Sequence, residues 1–173
     1  ENNYGTLRQA WHWAKRKGIL TFTWHWFSPL GGHGKSFFTD NTDFDAEKAL
    51  QPGTKEHQAL LSDLDVMAGL LRPFCDQKVP ILWRPFHEGD GNWFWWGAKG
   101  PEVYKKLWQF MYDYFVNKQG LNNLIWVWTA QTGDDVWYPG DEFVDIVGRD
   151  NYAALQYPLM KEFKLLQKTY PNK

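Results

Sequence analysis

The residues with the most evident chemical capacity sit in one stretch, VPILWRPFHEGDGNWFWWG, from Val79 to Gly97. A carboxylate, Glu88, directly follows an imidazole, His87, at the end of an apolar run that also carries Arg84. A turn-prone segment, Gly89-Asp90-Gly91-Asn92, leads on into the aromatic run Trp93 to Trp96. Aromatic walls exclude water and disfavour the charged form of a carboxyl group, which is what a proton donor needs. A plainer arrangement uses the same residues: Glu88 paired with Arg84, and the tryptophans filling a core. Their occurrence together favours a site. A second histidine, His25, stands between Trp24 and Trp26 in ILTFTWHW. Taken alone, such a histidine serves as well for structure as for chemistry.

Two predicted strands must position these side chains. Val79, Ile81, Leu82, Trp83 and Phe86 have the apolar and aromatic content of a buried strand. Strand alternation puts Arg84, Phe86 and Glu88 on one face and Trp83, Pro85 and His87 on the other. Where the chain leaves the pleat at the strand end, His87 and Glu88 both reach a common cleft. The other strand spans Ile19 to Trp26, β-branched and aromatic, with His25 and Trp26 at its end.

The stretch from Trp83 to Gly97 resembles the acid/base segment of glycoside hydrolase family 26, whose pattern is W-R-P-x-H-E, a glycine turn and W-F-W-W-G. The resemblance implies an α/β fold, a (β/α)8 TIM barrel, and a hydrolase that retains anomeric configuration. Its implied substrates are mainly β-1,4-mannans, and in some members β-1,3-1,4-glucans or β-1,3-xylans. It makes Glu88 the general acid/base, which protonates the leaving glycosidic oxygen and then deprotonates the attacking water. His87 matches the histidine that orients this acid and meets the sugar. Trp93 matches the floor near the cleavage point. His25 and Trp26 match the pair that closes the barrel's third strand, beside the catalytic carboxylates. Tyr152 matches the tyrosine that closes the sixth strand and hydrogen-bonds the nucleophile. Trp95, Trp96 and Trp137 are further candidate rings, Trp95 and Trp96 being read as packing at the barrel top. Arg84 is either a partner of the nucleophile or structural. The turn Gly89-Asp90-Gly91 departs from the Met-Asn-Gly often found there. The motif therefore does not itself select mannan over other β-glycans.

The remaining chain supplies helices and loops around these strands. Tyr4 to Lys17 reads as a helix on Leu7, Ala10, Trp11 and Ala14, stopped by Gly18. Leu30 to Gly53 reads as a long solvated loop anchored by Phe37, Phe38 and Phe44. Its His33, Asp40, Asp43 and Asp45 fit no cation-ligand pattern, and no metal is expected. Thr54 to Arg72 reads as a helix capped by Thr54 and ended by Pro73, with His57 at the surface. Pro101 to Asn117 reads as a helix with Val103, Leu107, Phe110, Met111 and Tyr114 on one face. Leu124 to Thr129 is an uncharged strand, as expected for one buried on both faces. Gln131 to Gly140 is a loop, Phe143 to Tyr152 holds a short strand, and Leu159 to Thr169 a last helix.

Strands alternating with helices imply a parallel sheet with right-handed crossovers. Four strands are visible, whereas a closed barrel of this kind has eight and typically about 250 residues. Against the family pattern the four correspond to the third to sixth barrel strands. Residues 1–173 are thus expected to form about half a barrel, part of one catalytic domain. A retaining glycosidase uses two carboxylates about 5–5.5 Å apart. The family's nucleophile lies in a Ser/Thr-Glu-Phe/Trp-Gly segment after the seventh strand, and no such segment occurs here. Glu162-Phe163 has lysines on both sides in an amphipathic stretch and is rejected. The nucleophile is expected outside this chain, and the chain alone to be inactive.

Composition bounds the alternatives. A net charge of −1, from 19 basic and 20 acidic residues, argues against a nucleic-acid groove. One cysteine, Cys75, permits no intrachain disulfide and reads as a small buried hydrophobe near a helix end. No run of about 18 apolar residues exists to span a membrane. The chain starts as if within a domain, so the lack of a signal peptide in it says nothing about secretion. Twelve tryptophans and 18% aromatic residues supply either sugar platforms or core filling. A polysaccharide substrate makes secretion or surface attachment the expectation, with a monomer, no cofactor and no membrane span. The competing class is a carbohydrate-binding protein without catalysis, for which a shielded His87-Glu88 pair would have no use.

Overall fold

The computed structural model describes residues 4–130, 135–150 and 157–173. Four strands, β1 (Leu20–Thr23), β2 (Ile81–Arg84), β3 (Leu124–Ala130) and β4 (Ile146–Arg149), form one sheet in sequence order. All three pairings are parallel, with Leu20 opposite Ile81, Ile81 opposite Leu124 and Val127 opposite Ile146. Parallel neighbours need long crossovers. Between β1 and β2 run α2 (Ala46–Ala49) and α3 (Lys55–Asp76), and between β2 and β3 runs α4 (Pro101–Tyr112). A first helix, α1 (Tyr4–Lys15), precedes β1, and α5 (Tyr157–Thr169) follows β4.

The two faces of the sheet differ. Leu20, Ile81, Trp83, Leu124, Trp126 and Trp128 are buried beneath the helices. Trp126 packs among Trp108, Tyr112 and Phe115, with ring centroids 5.8, 5.0 and 6.5 Å away. The alternate positions Leu82, Arg84, Ile125 and Val127 are half-buried, and Thr21, Thr23 and Ile146 are exposed. Among the described residues no layer covers this second face. That is the face which a closed barrel turns inward and fills from opposing strands.

Several local expectations are corrected. Pro73 does not end α3, which continues to Asp76. Proline inside a helix costs roughly 3 kcal/mol. Leu71 and Phe74 flank it and are both buried, each worth about 1.5–3 kcal/mol. Phe74 stacks on Trp11 at 4.4 Å and meets Phe22 edge-on. Burial thus carries the helix past its breaker. The segment 30–53 is not simply a loop. It contains α2, whose Ala46 and Ala49 are buried and whose N-cap Asp45 accepts from the amides of Glu47 and Lys48. His57 is half-buried rather than free at the surface: its Nδ1 lies 2.7 Å from the Ala49 carbonyl and its ring meets Phe110. Cys75 is half-buried, with Sγ 3.6 Å from both Gly120 O and Asn122 Oδ1. The buried face of α4 is Tyr104, Leu107, Trp108 and Met111, rotated from the expected stripe. After Tyr112 the helix widens into a π turn over Asp113–Lys118, which keeps Tyr114 and Phe115 buried.

Candidate active site

The site is built where β2 ends. After Arg84 the chain abandons strand alternation, because Phe86 and Glu88 both take left-handed backbone conformations, φ +48° and +52°. Phe86, His87 and Glu88 consequently all turn inward, with His87 4% and Glu88 8% exposed. Strand alternation ends after Arg84, as expected where the chain leaves the pleat, so His87 is not opposed to Phe86 and Glu88. Each non-glycine residue held there costs on the order of 1–3 kcal/mol, so the surroundings must over-determine the shape. Buried aromatic donors do so. Tyr104 Oη donates to the Phe86 carbonyl at 2.9 Å and Trp96 Nε1 to the His87 carbonyl at 3.0 Å. Trp95 Nε1 reaches across to the Trp26 carbonyl at 2.8 Å. Gly97 crosses directly over Gly89; a Cβ on Gly97 would lie 1.9 Å from the Gly89 carbonyl oxygen.

The loop after β1 is stitched to this elbow. Phe38 bridges Phe94 in antiparallel fashion, Thr39 N donates to Trp93 O at 2.8 Å, and Trp95 N donates to Phe37 O at 3.1 Å. Reading residues 30–53 as solvated missed this. The signal was Phe37-Phe38-Thr39, three β-prone residues in a row. The stitch delivers His25 to His87, with the two Nε2 atoms 3.2 Å apart and the ring centroids 4.4 Å apart. Burial, then the Arg84 guanidinium, then His25 push His87 down to about 3. Burial and Arg84 also lower His25, while the Glu88 carboxylate pulls it upward. Arg84 itself is bonded to Asp150, just beyond β4, and its Nη1 donates to Thr23 Oγ1 at 3.3 Å.

The structure brings His87 and His25 together, with Glu88 next in the chain and close enough to act on His25, and leaves Trp93 39% exposed. Trp26 does not present a ring face. It is 2% exposed, stacks on Trp24 at 4.0 Å, and donates Nε1–H to Asp63 Oδ2 at 2.6 Å. It forms the inner wall of a groove of about 700 Å³ that also takes in His25, Phe27, Lys35 and Phe37. Trp26 thus lines the groove as a wall held by Asp63, a carboxylate on α3 that no local pattern announces. Trp95 and Trp96 are buried, as expected of barrel-top packing, and Trp137 is buried against Tyr104 rather than offered as a platform. Tyr152 lies outside the described residues. Among those described, no group of three or more His, Cys, Asp or Glu side chains is placed to hold a metal ion. No described helix is long and apolar enough to cross a membrane.

A buried carboxyl that directly follows His87 and acts on His25, which lines the groove, can donate a proton to a bound ligand. The sequence profile of Glycosyl hydrolase family 26 matches residues 3–172. This chain belongs to that family. Mannan endo-1,4-beta-mannosidase of Thermothelomyces thermophilus is 43% identical over 169 residues, which are 93% of this chain and 35% of that protein. Mannan endo-1,4-beta-mannosidase of Bacillus subtilis strain 168 is 36% identical over 166 residues, 90% of this chain and 45% of that protein. The family 26 chain thus spans about a third to just under half the length of these relatives. Among solved structures, a β-mannanase from a symbiotic protist of the termite Reticulitermes speratus, complexed with gluco-manno-oligosaccharide, superposes with a TM-score of 0.86. It is 42% identical, and the match covers 94% of this chain and 53% of that one. The Podospora anserina GH26-CBM35 β-(1,4)-mannanase superposes with a TM-score of 0.90 at 37% identity, over 100% of this chain and 40% of that one. The four-stranded sheet is accordingly part of a family 26 (β/α)8 barrel.

Proposed function

We propose that the full-length protein carrying this chain is a retaining glycoside hydrolase that cleaves internal β-1,4-mannosidic bonds, with Glu88 as general acid/base. The observation that carries this reading is Glu88 itself: a carboxyl buried on a strained elbow, pinned by aromatic donors, beside the His25–His87 pair. Strain of this kind clusters where a side chain must be held at one angle. Relatives named as mannan endo-1,4-beta-mannosidases, and a relative complexed with gluco-manno-oligosaccharide, support the substrate class.

In the proposed cycle Glu88 protonates the glycosidic oxygen as the bond breaks. A second carboxylate, about 5–5.5 Å away in retaining enzymes, attacks the anomeric carbon. That nucleophile comes from the part of the barrel outside this chain, so the chain by itself is inactive. Glu88 then removes a proton from the water that releases the sugar. His87 and His25, neutral around pH 7 because burial and Arg84 disfavour their cations, orient Glu88 and hydrogen-bond sugar hydroxyls without competing as acids. Trp93 offers its exposed ring to a sugar face. Tyr152 bonds the nucleophile. No cofactor is required, since two carboxylates suffice. A polymeric substrate calls for a protein outside the cell or on its surface, acting as a monomer.

The test compares Glu88→Gln with wild type in the full-length protein, by reducing-sugar release from mannan and from mixed-linkage β-glucan. Wild type is expected to prefer mannan, and the variant to lose on the order of 10²–10⁴ in turnover. Near-wild-type activity in the variant overturns the assignment, and a preference for mixed-linkage glucan overturns the substrate.

A further inference from the structure

The elbow that carries Glu88 is gripped from both sides by one side chain of α4. Tyr104 is 1% exposed. Its Oη donates to the carbonyl of Phe86, two residues before Glu88, at 2.9 Å. Its ring lies against residue 89, one residue after Glu88, so closely that a Cβ on Gly89 would fall 2.1 Å from Cε2. The gripped positions, Phe86 and Gly89, bracket Glu88, and Phe86 and Glu88 both have left-handed backbone. The Phe86 carbonyl would otherwise be an unpaired acceptor in an aromatic core, where a hydrogen bond left unmade is costly. The Tyr104 ring is itself held by Trp137 at 5.4 Å and by Phe86 and Trp108 farther out, so the clamp has little freedom to tilt.

We propose that Tyr104 is a positioning residue for Glu88: its hydroxyl and ring set the angle at which the carboxyl meets the glycosidic oxygen. The proposal rests on the reading of Glu88 as general acid/base and extends it to a residue on a different element. The phenol stays protonated because burial raises it far above neutrality, so it acts as a fixed neutral donor and takes no part in proton transfer. A hydroxyl that merely satisfies the core would affect folding alone. One that aims the acid would affect bonds whose departing group needs a proton and spare those whose departing group does not.

Tyr104→Phe in the full-length enzyme keeps the ring and removes only the hydroxyl. The values of kcat/KM are measured for mannan and for a 2,4-dinitrophenyl β-mannooligoside, whose phenolate leaves without protonation. The expected result is a loss of about 10–100-fold on mannan, the scale of a misplacement near 1 Å, with the activated substrate within about twofold of wild type. Equal losses on both substrates, or no loss on either, overturn the proposal. Glu88→Ala is run in parallel. If Glu88→Ala fails to separate the two substrates, the acid/base reading has failed. If Glu88→Ala separates them and Tyr104→Phe does not, only the positioning role has failed. Should Tyr104→Phe not fold by circular dichroism, the same ratio is read from Trp137→Phe, which loosens the ring that holds Tyr104 and leaves the residues next to Glu88 unchanged. A selective loss on mannan then supports the positioning role, and equal losses or none overturn it.

Discussion

Gly97→Ala is a change of one methyl group, remote in sequence from Glu88, yet it strikes the elbow at its tightest point. The added Cβ would lie 1.9 Å from the carbonyl oxygen of Gly89, 2.8 Å from its carbonyl carbon and 3.3 Å from its Cα. All three are backbone atoms, so no rotamer change relieves the clash, and real Cβ contacts essentially never fall below 3.0 Å. One strand of the crossing must move by at least about 1 Å. Residue 89 cannot retreat freely, because the Tyr104 ring stands behind it. Overpacking of this kind costs typically 1–3 kcal/mol, and the rigid backbone partners put this case near the upper end. For a protein of 150–250 residues, about 3 kcal/mol lowers Tm by roughly 6–12 °C, and a longer chain, with its larger unfolding entropy, shifts proportionately less. Displacing residue 89 by about 1 Å also re-aims Glu88, for a loss of about 100-fold in turnover. The assay is thermal unfolding of the full-length protein, followed by mannan hydrolysis well below the lowered Tm. A Tm within about 2 °C of wild type together with unchanged turnover would refute the account of the elbow as a close backbone crossing.

Other expectations follow from the same geometry. His87 is held down to about 3 in the fold, chiefly by burial, against an ordinary value of 6.5. The unfolded chain therefore binds the extra proton first, and stability contributed by neutral His87 is complete above about pH 6.5 and is lost as pH falls toward 3, at up to about 1.4 kcal/mol per pH unit. His87→Gln should flatten the drop in Tm between about pH 7 and pH 4.5, a window inside that range; an unchanged drop would remove His87 as its source. The two tryptophans should separate cleanly: Trp93→Ala raises KM for mannan with Tm nearly unchanged, while Trp26→Phe strands the half-buried Asp63 carboxylate and lowers stability by about 1–3 kcal/mol with KM unchanged. The opposite pattern in steady-state kinetics and thermal melts would reverse their roles.

The frame of the chain was legible because it is written locally. β-branched and aromatic runs marked the strands, Thr54 and Pro101 marked helix starts, and the spacing of Trp83 through Gly97 pointed to the family. What was not legible depends on partners distant in sequence. Pro73 reads as a helix end until Trp11 and Phe22 are seen to bury Phe74. The tie of the Trp26 indole N–H to Asp63, 37 residues on, has no local signal. Tyr104 falls off the expected stripe of α4 because it faces the elbow rather than the strands alone. The elbow itself could not be foreseen, since Phe and Glu seldom adopt the left-handed region and only the surrounding donors hold them there. The region 30–53 looked solvated because its aromatic residues find partners across the stitch to Trp93–Trp95, not within the segment.

The role of Glu88 is tested most directly by the anomeric configuration of a trapped product. Glu88→Ala in the full-length enzyme, given an activated β-mannooligoside and sodium azide, removes the acid/base while leaving room for a small nucleophile. In a retaining mechanism the glycosyl-enzyme still forms on the other carboxylate, and azide then attacks it from the face that Glu88 served. The account predicts a β-mannosyl azide by proton NMR, with turnover restored by azide. An α-mannosyl azide would make Glu88 the nucleophile, and full turnover without azide would leave it no part in the chemistry.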